Sequence, residues 1–131
     1  VSNPWTFDEA RKACREASRL QEGAEDAFEA AAVDAAKAEE AYRIALATEI
    51  VSQHDGGVAW TVAPDLARGD KNVAALRRER DIKTGVRDAL DQACWRRVAD
   101  RKDAQRFADW SMRRELAEGY DDSPTEHRRD R

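Results

Sequence analysis

From Phe7 onward apolar residues recur every three or four positions, at Ala10, Ala13, Ala17, Leu20, Ala24, Ala27, Ala31, Ala35, Ala38, Tyr42 and Ala45. That spacing lines one face of a helix. The pattern runs on through Ile44, Leu46, Ile50 and Val51 and stops at Gly56-Gly57, a pair suited to ending a helix. It predicts a helix over residues 7–53, roughly 70 Å long at 1.5 Å per residue. At its start, Thr6-Phe7-Asp8-Glu9 fits a capping box, in which the Thr6 hydroxyl and the Glu9 carboxylate each satisfy the other's backbone amide. Gly23 interrupts the run. A glycine inside a helix costs about 1 kcal/mol relative to alanine, so it predicts a bend or a place where something large needs room.

A second stripe comprises Leu66, Val73, Leu76, Ile82, Val86, Leu90 and Ala93. Past the charged Asp100-Arg101-Lys102-Asp103 it resumes at Phe107, Trp110 and Leu116. It predicts a helix over residues 64–118, with Pro64 in the first turn, Thr61 or a neighbour as cap, and Gly69-Asp70 able to split off that first turn. Residues 54–63 then form a bend. Residues 120–131, polar and containing Ser123-Pro124, read as a disordered charged tail. The fold class is all-α: a long antiparallel two-helix hairpin, coiled-coil-like with an alanine-rich seam, occupying residues 1–119 as one domain. With the bend centred near residue 59, Gly23 falls opposite Trp95. Phe7 falls opposite Trp110, with Trp5 and Phe107 close enough to close the open end.

Composition changes this picture in one respect. Apolar residues make up 41% of the 131-residue chain, but nearly half of them are alanine, and 38% of the chain is charged. A seam of alanines buries little area, so two hairpins are expected to pair into an antiparallel four-helix arrangement, with Leu90 and Trp95 in the dimer seam. Net charge is only −4, because 27 acidic residues nearly cancel 23 basic ones, and the two signs are segregated along the chain. Glu22, Glu25, Asp26, Glu29, Asp34, Glu39 and Glu40 lie on the first helix, while Arg77, Arg78, Arg80, Lys83, Arg87, Arg96 and Arg97 lie on the second. Facing charges of this kind are expected to select orientation and register.

The candidate chemistry is sparse. A di-metal bundle needs Glu-x-x-His on facing helices, and neither His54 nor His127 follows a glutamate by three. Cys14 and Cys94 sit in alanine-rich stripes, about ten residues out of register with each other, and read as small apolar fillers with free thiols. Gly56-Gly57 lacks the lysine of a phosphate loop. No cofactor, metal or catalytic residue is expected. No stretch opens the chain like a secretory signal and no run of about 18 apolar residues occurs, so a cytoplasmic location without membrane contact is expected. Two binding surfaces stand out. Trp60, flanked by Val58 and Val62, either folds back over the helix ends or presents an apolar anchor to a protein partner. Arg77, Arg80, Arg87, Arg96 and Arg97 are the candidate phosphate contacts if the second helix binds nucleic acid, though interleaved Glu79, Asp81, Asp88 and Asp91 oppose that use.

The run Ala-Glu-Glu-Ala-Tyr-Arg-Ile-Ala-Leu-Ala over residues 38–47, residues 64–69, and residues 73–90 with their Leu-Arg-Arg-Glu-Arg-Asp core resemble small helical-hairpin proteins of bacteriophages. Such proteins often sit among replication and recombination genes. The resemblance covers the middle third to half of the chain and implies a phage or prophage origin. It also implies a helper or inhibitor role in the cytoplasm of a bacterial host, exerted through contacts with a host or phage protein. The charged C-terminal third, including Asp109-Trp110-Ser111-Met112, departs from that pattern. The expected function is therefore a non-enzymatic protein–protein interaction module acting on a replication, recombination or defence protein. Alternatives are an accessory nucleic-acid binder and a structural or assembly protein of a virion.

Overall fold

The computed structural model describes residues 6–121, which form three helices: α1 (Phe7–Asp55), α2 (Ala63–Arg68) and α3 (Lys71–Asp121). No strand occurs among the described residues. The chain is an all-α helical hairpin whose long helices, α1 and α3, pack against each other. The second helix predicted from the sequence begins later than expected, because α2 is a separate single turn and a half. The expected tail splits likewise: residues 120 and 121 continue α3, and residues 122–131 lie outside the described residues, as does Trp5.

The ends of these helices follow from local chemistry. The capping box forms: the Glu9 amide donates to the Thr6 hydroxyl at 3.2 Å and the Thr6 amide to the Glu9 carboxylate at 3.0 Å. The α1 terminus is closed by a paired turn in which the Gly57 amide donates to the His54 carbonyl (2.9 Å) and the Val58 amide to the Gln53 carbonyl (3.1 Å). Gly57 takes φ +98°, which a side chain would resist, and so reverses the chain. Pro64 lies in the first turn of α2, as expected, but no side chain caps that helix. Asp70, not Thr61, is the cap that matters. Its carboxylate accepts from the Asn72 and Val73 amides, both at 3.1 Å, and so starts α3.

Two compact units divide the chain. One joins the segment ending at Ala24 to the segment beginning at Cys94, and the other is Glu25–Ala93. In the first unit the buried side chains are small: Ala10, Ala108 and Ser111. The Phe7 amide donates to the Glu115 carboxylate at 3.3 Å, tying the start of α1 to α3. Phe107 and Trp110 remain about half exposed at 50% and 45%, so alanine and serine, rather than aromatic rings, fill the middle of this contact. Gly23 meets nothing within 4 Å of where a Cβ would stand, and Trp95 is 66% exposed. The expected fit of that indole into a glycine gap is not made.

In the second unit Ala31, Ala35 and Tyr42 of α1, Ala63 and Ala67 of α2, and Val73 of α3 are buried. Here the apolar stripe read for α3 needs correction. Ile82 and Val86 are about half exposed, as is Leu66 on α2. The inward positions, three and four apart, are Val73, Leu76, Arg80, Lys83, Arg87 and Leu90, each buried or half-buried. Arginine and lysine suit such half-buried positions because their aliphatic stems can lie along a seam while their charged heads reach water. On α1 the same rule shifts the stripe near its middle: Ala27 is exposed, and Phe28 is half-buried in its place.

Charge pairing also differs from expectation. Arg80 reaches Glu39 across the two helices at 3.5 Å. Lys83 with Glu79, Arg87 with Asp88 and Arg43 with Glu39 pair within one helix instead. Neighbours along a helix are always in reach, so they outcompete partners across it. Arg80 additionally lies over the Tyr42 ring, 4.4 Å from its centroid. The hydrogen bond to Asp81 raises the Arg80 guanidinium above its ordinary value; burial opposes it, and the charges of Asp81, Glu39 and Tyr42 add smaller upward contributions. In this group of Glu39, Tyr42 and Arg80 a charge and a ring meet across the second unit's seam.

Candidate functional site

The reversal between α1 and α2 holds the most specific arrangement of side chains in the second unit. Ending α1 with a left-handed glycine aims the chain back over the last helical turn, so Val58 and Trp60 return to His54. The His54 Nδ1 donates to the Val58 carbonyl at 3.0 Å, which places a proton on that nitrogen. The imidazole lies flat against the Trp60 indole, ring centroids 3.6 Å apart and planes 17° from parallel. Trp60 thus folds back and is presented at once. One face of the indole rests on His54, and 56% of the residue's surface stays exposed.

α2 extends this apolar surface. Ala63 and Ala67, four residues apart, are fully buried, which leaves Leu66 pointing outward at 48% exposure beside Val62 at 48%. Val58 is half-buried and supports the reversal more than it lines the surface. The exposed apolar residues of this segment are Trp60, Val62 and Leu66. Sequence reasoning identified the first two and assigned Leu66 to a seam. The signal for His54 was present in its position two residues before a glycine pair and six residues before a tryptophan, but its role needs the fold.

The arginines proposed for nucleic acid are divided between the two units. Arg77, Arg80 and Arg87 belong to the second unit, Arg96 and Arg97 to the first. Arg77 and Arg96 are exposed, whereas Arg80, Arg87 and Arg97 are half-buried and paired with Asp81, Asp88 and Asp100 respectively. Leu90, expected in a dimer seam, is half-buried on the inward stripe, and Trp95 is exposed. Cys14 and Cys94 are half-buried free thiols. Among the described residues no group of three His, Cys, Asp or Glu side chains could hold a metal ion, and no helix is long and apolar enough to cross a membrane. No protein-family model, curated protein or solved structure matches the chain.

Proposed function

We propose that this chain is a non-enzymatic interaction module that docks a protein partner on Trp60, Val62 and Leu66. The observation that supports this reading is the stacked indole. Ordering a large side chain on binding costs about 0.5–1.5 kcal/mol, and His54 has already fixed Trp60 while leaving most of its surface free. Tryptophan presented in this way is the residue type that most often dominates binding at protein interfaces. The resemblance to small phage hairpins makes the partner a bacterial replication, recombination or defence protein, with the module acting as an accessory or inhibitor.

The test is a nuclease-treated pull-down from bacterial lysate, comparing the native chain with Trp60→Ala and with Arg77→Glu/Arg78→Glu. One stoichiometric protein lost only with Trp60→Ala is the expected outcome, with a fall in affinity of roughly 30-fold or more for a residue worth about 2 kcal/mol. Equal retention by Trp60→Ala removes the tip from the interface.

A further inference from the structure

The first unit carries a groove that the tip reading does not use. Three adjoining hollows of about 340, 340 and 230 Å³ share Cys14 in their lining. Arg11 and Arg15 enter from α1, Arg101 and Lys102 from α3, with the Ser18 hydroxyl and the Gln105 amide between them. We infer that this groove binds the phosphate backbone of single-stranded nucleic acid, with the four cations as phosphate contacts.

The charge is available. Among the described residues Arg15, Arg101 and Lys102 have no ion-pair partner, and Arg11 only lies 5.7 Å from the centroid of the Phe7 ring. Acids stand at the two ends of the groove, Glu22 and Asp109, and Asp109 already accepts from the Gln105 side chain at 3.0 Å. The negative charge of the whole chain lies elsewhere. Glu25–Ala93 holds fourteen acidic and nine basic residues, against ten acidic and eleven basic over residues 6–24 and 94–121. Arg77 and Arg78, also without ion pairs, line a hollow that contains Asp81 and is the weaker candidate.

The shape selects the strand. Two of the hollows lie between α1 and α3 and the third continues them along α1, a narrow track that suits an extended chain better than a duplex. Arg11 and Arg15, one turn and roughly 6 Å apart, give successive contacts along such a chain. Forked guanidinium groups pair with phosphate oxygens two at a time, as they do with carboxylates, so the choice of a nucleic-acid strand rests on the extended shape and on an exposed ring nearby. Trp95 stands two turns before Lys102 on the same ridge of α3 and is 66% exposed, which offers a base a ring to stack on. A cationic track with an aromatic platform is the combination that holds single strands.

The experiment is fluorescence anisotropy with a labelled 20-nucleotide oligothymidine at 50 and 200 mM salt. Four phosphate contacts on a single strand predict an affinity loss of about 50-fold between those salts. Arg15→Gln/Lys102→Gln removes two, so the loss shrinks to about 7-fold and binding at 50 mM weakens. Arg77→Gln/Arg78→Gln leaves both values unchanged, and Trp95→Ala weakens binding without altering the salt dependence. Far-ultraviolet circular dichroism confirms that the helices persist; should the double variant lose them, the exposed Arg101→Gln is read in its place. No binding at 50 mM, equal binding of a duplex, or equal dependence on Arg77 and Arg78 overturns the inference. A doubled mass by light scattering that disappears in Trp95→Ala, with oligonucleotide binding intact, assigns Trp95 to self-association and removes it from the site. A partner lost with Trp60→Ala neither supports nor weakens the groove, so the two readings fail separately.

Discussion

One substitution, glycine to alanine, should have opposite effects at different places in this chain. Gly23 and Gly85 lie inside α1 and α3, and a Cβ added at either meets nothing within 4 Å. The gain is then the difference in helix propensity alone, about 0.8–1.0 kcal/mol each. They fall in different compact units, so the two gains should add to about 2 kcal/mol. At about 2 cal/mol/K of unfolding entropy per residue, each kcal/mol raises the midpoint of a 131-residue chain by about 4 °C. The double variant should therefore melt about 7–8 °C higher. Gly57→Ala has equally open surroundings but sits at φ +98°, where alanine costs about 1–2 kcal/mol. Its midpoint should fall by about 4–8 °C. Thermal melts followed at 222 nm, with urea titrations alongside, read all three. A loss of stability in Gly23→Ala or Gly85→Ala would mean that those positions contact something, and would refute the assignment of both as outward-facing.

Further expectations follow from single side chains. Ser111 is buried with its hydroxyl unpartnered, so Ser111→Ala should stabilise by about 1 kcal/mol in a urea titration by removing an unmet desolvation cost. Asp70→Ala should cost about 1 kcal/mol by leaving the first amides of α3 uncapped, read by the same titration. Arg80→Lys keeps the charge but loses the flat contact with Tyr42, and a double-mutant cycle with Tyr42→Leu should give a coupling of about 0.5–1 kcal/mol. The Glu16 carboxyl is held below its ordinary value by its hydrogen bond from Arg19. That pairing is complete above the usual carboxylate range and lost as pH falls through the lowered value, so Arg19→Gln should move the carbon-13 titration of Glu16 upward.

The fold was legible because periodicity, capping and glycine placement agree. The Thr6 and Glu9 capping box, the glycine stop after α1 and the possible break at Gly69-Asp70 are all local signals, and local signals do not depend on what packs where. Which stripe of α3 turns inward was not legible. Ile82 and Val86 are the better apolar residues, yet Arg80, Lys83 and Arg87 take the inward positions, and only the pairing of the two helices reveals that. The same reason hid the first unit's groove: Arg11 and Arg15 are about ninety residues from Arg101 and Lys102 in sequence. At the tip, Trp60 was conspicuous by type and position. Its stack on His54 was not, since it depends on the left-handed turn at Gly57 carrying the chain back.

The alanine lining has a consequence for how the second unit chooses its alignment. Where α1 offers one alanine after another, sliding that helix by a whole repeat changes little on its own side of the seam. Discrimination must come from positions that differ from their neighbours. Tyr42 with Arg80 is one, and the short connection from Gly56 to Asp70, fastened at both ends by backbone and carboxylate bonds, is another. The turn therefore acts as a ruler as well as a platform. Lengthening it by a few flexible residues should blur the alignment of the helices while leaving their helicity intact.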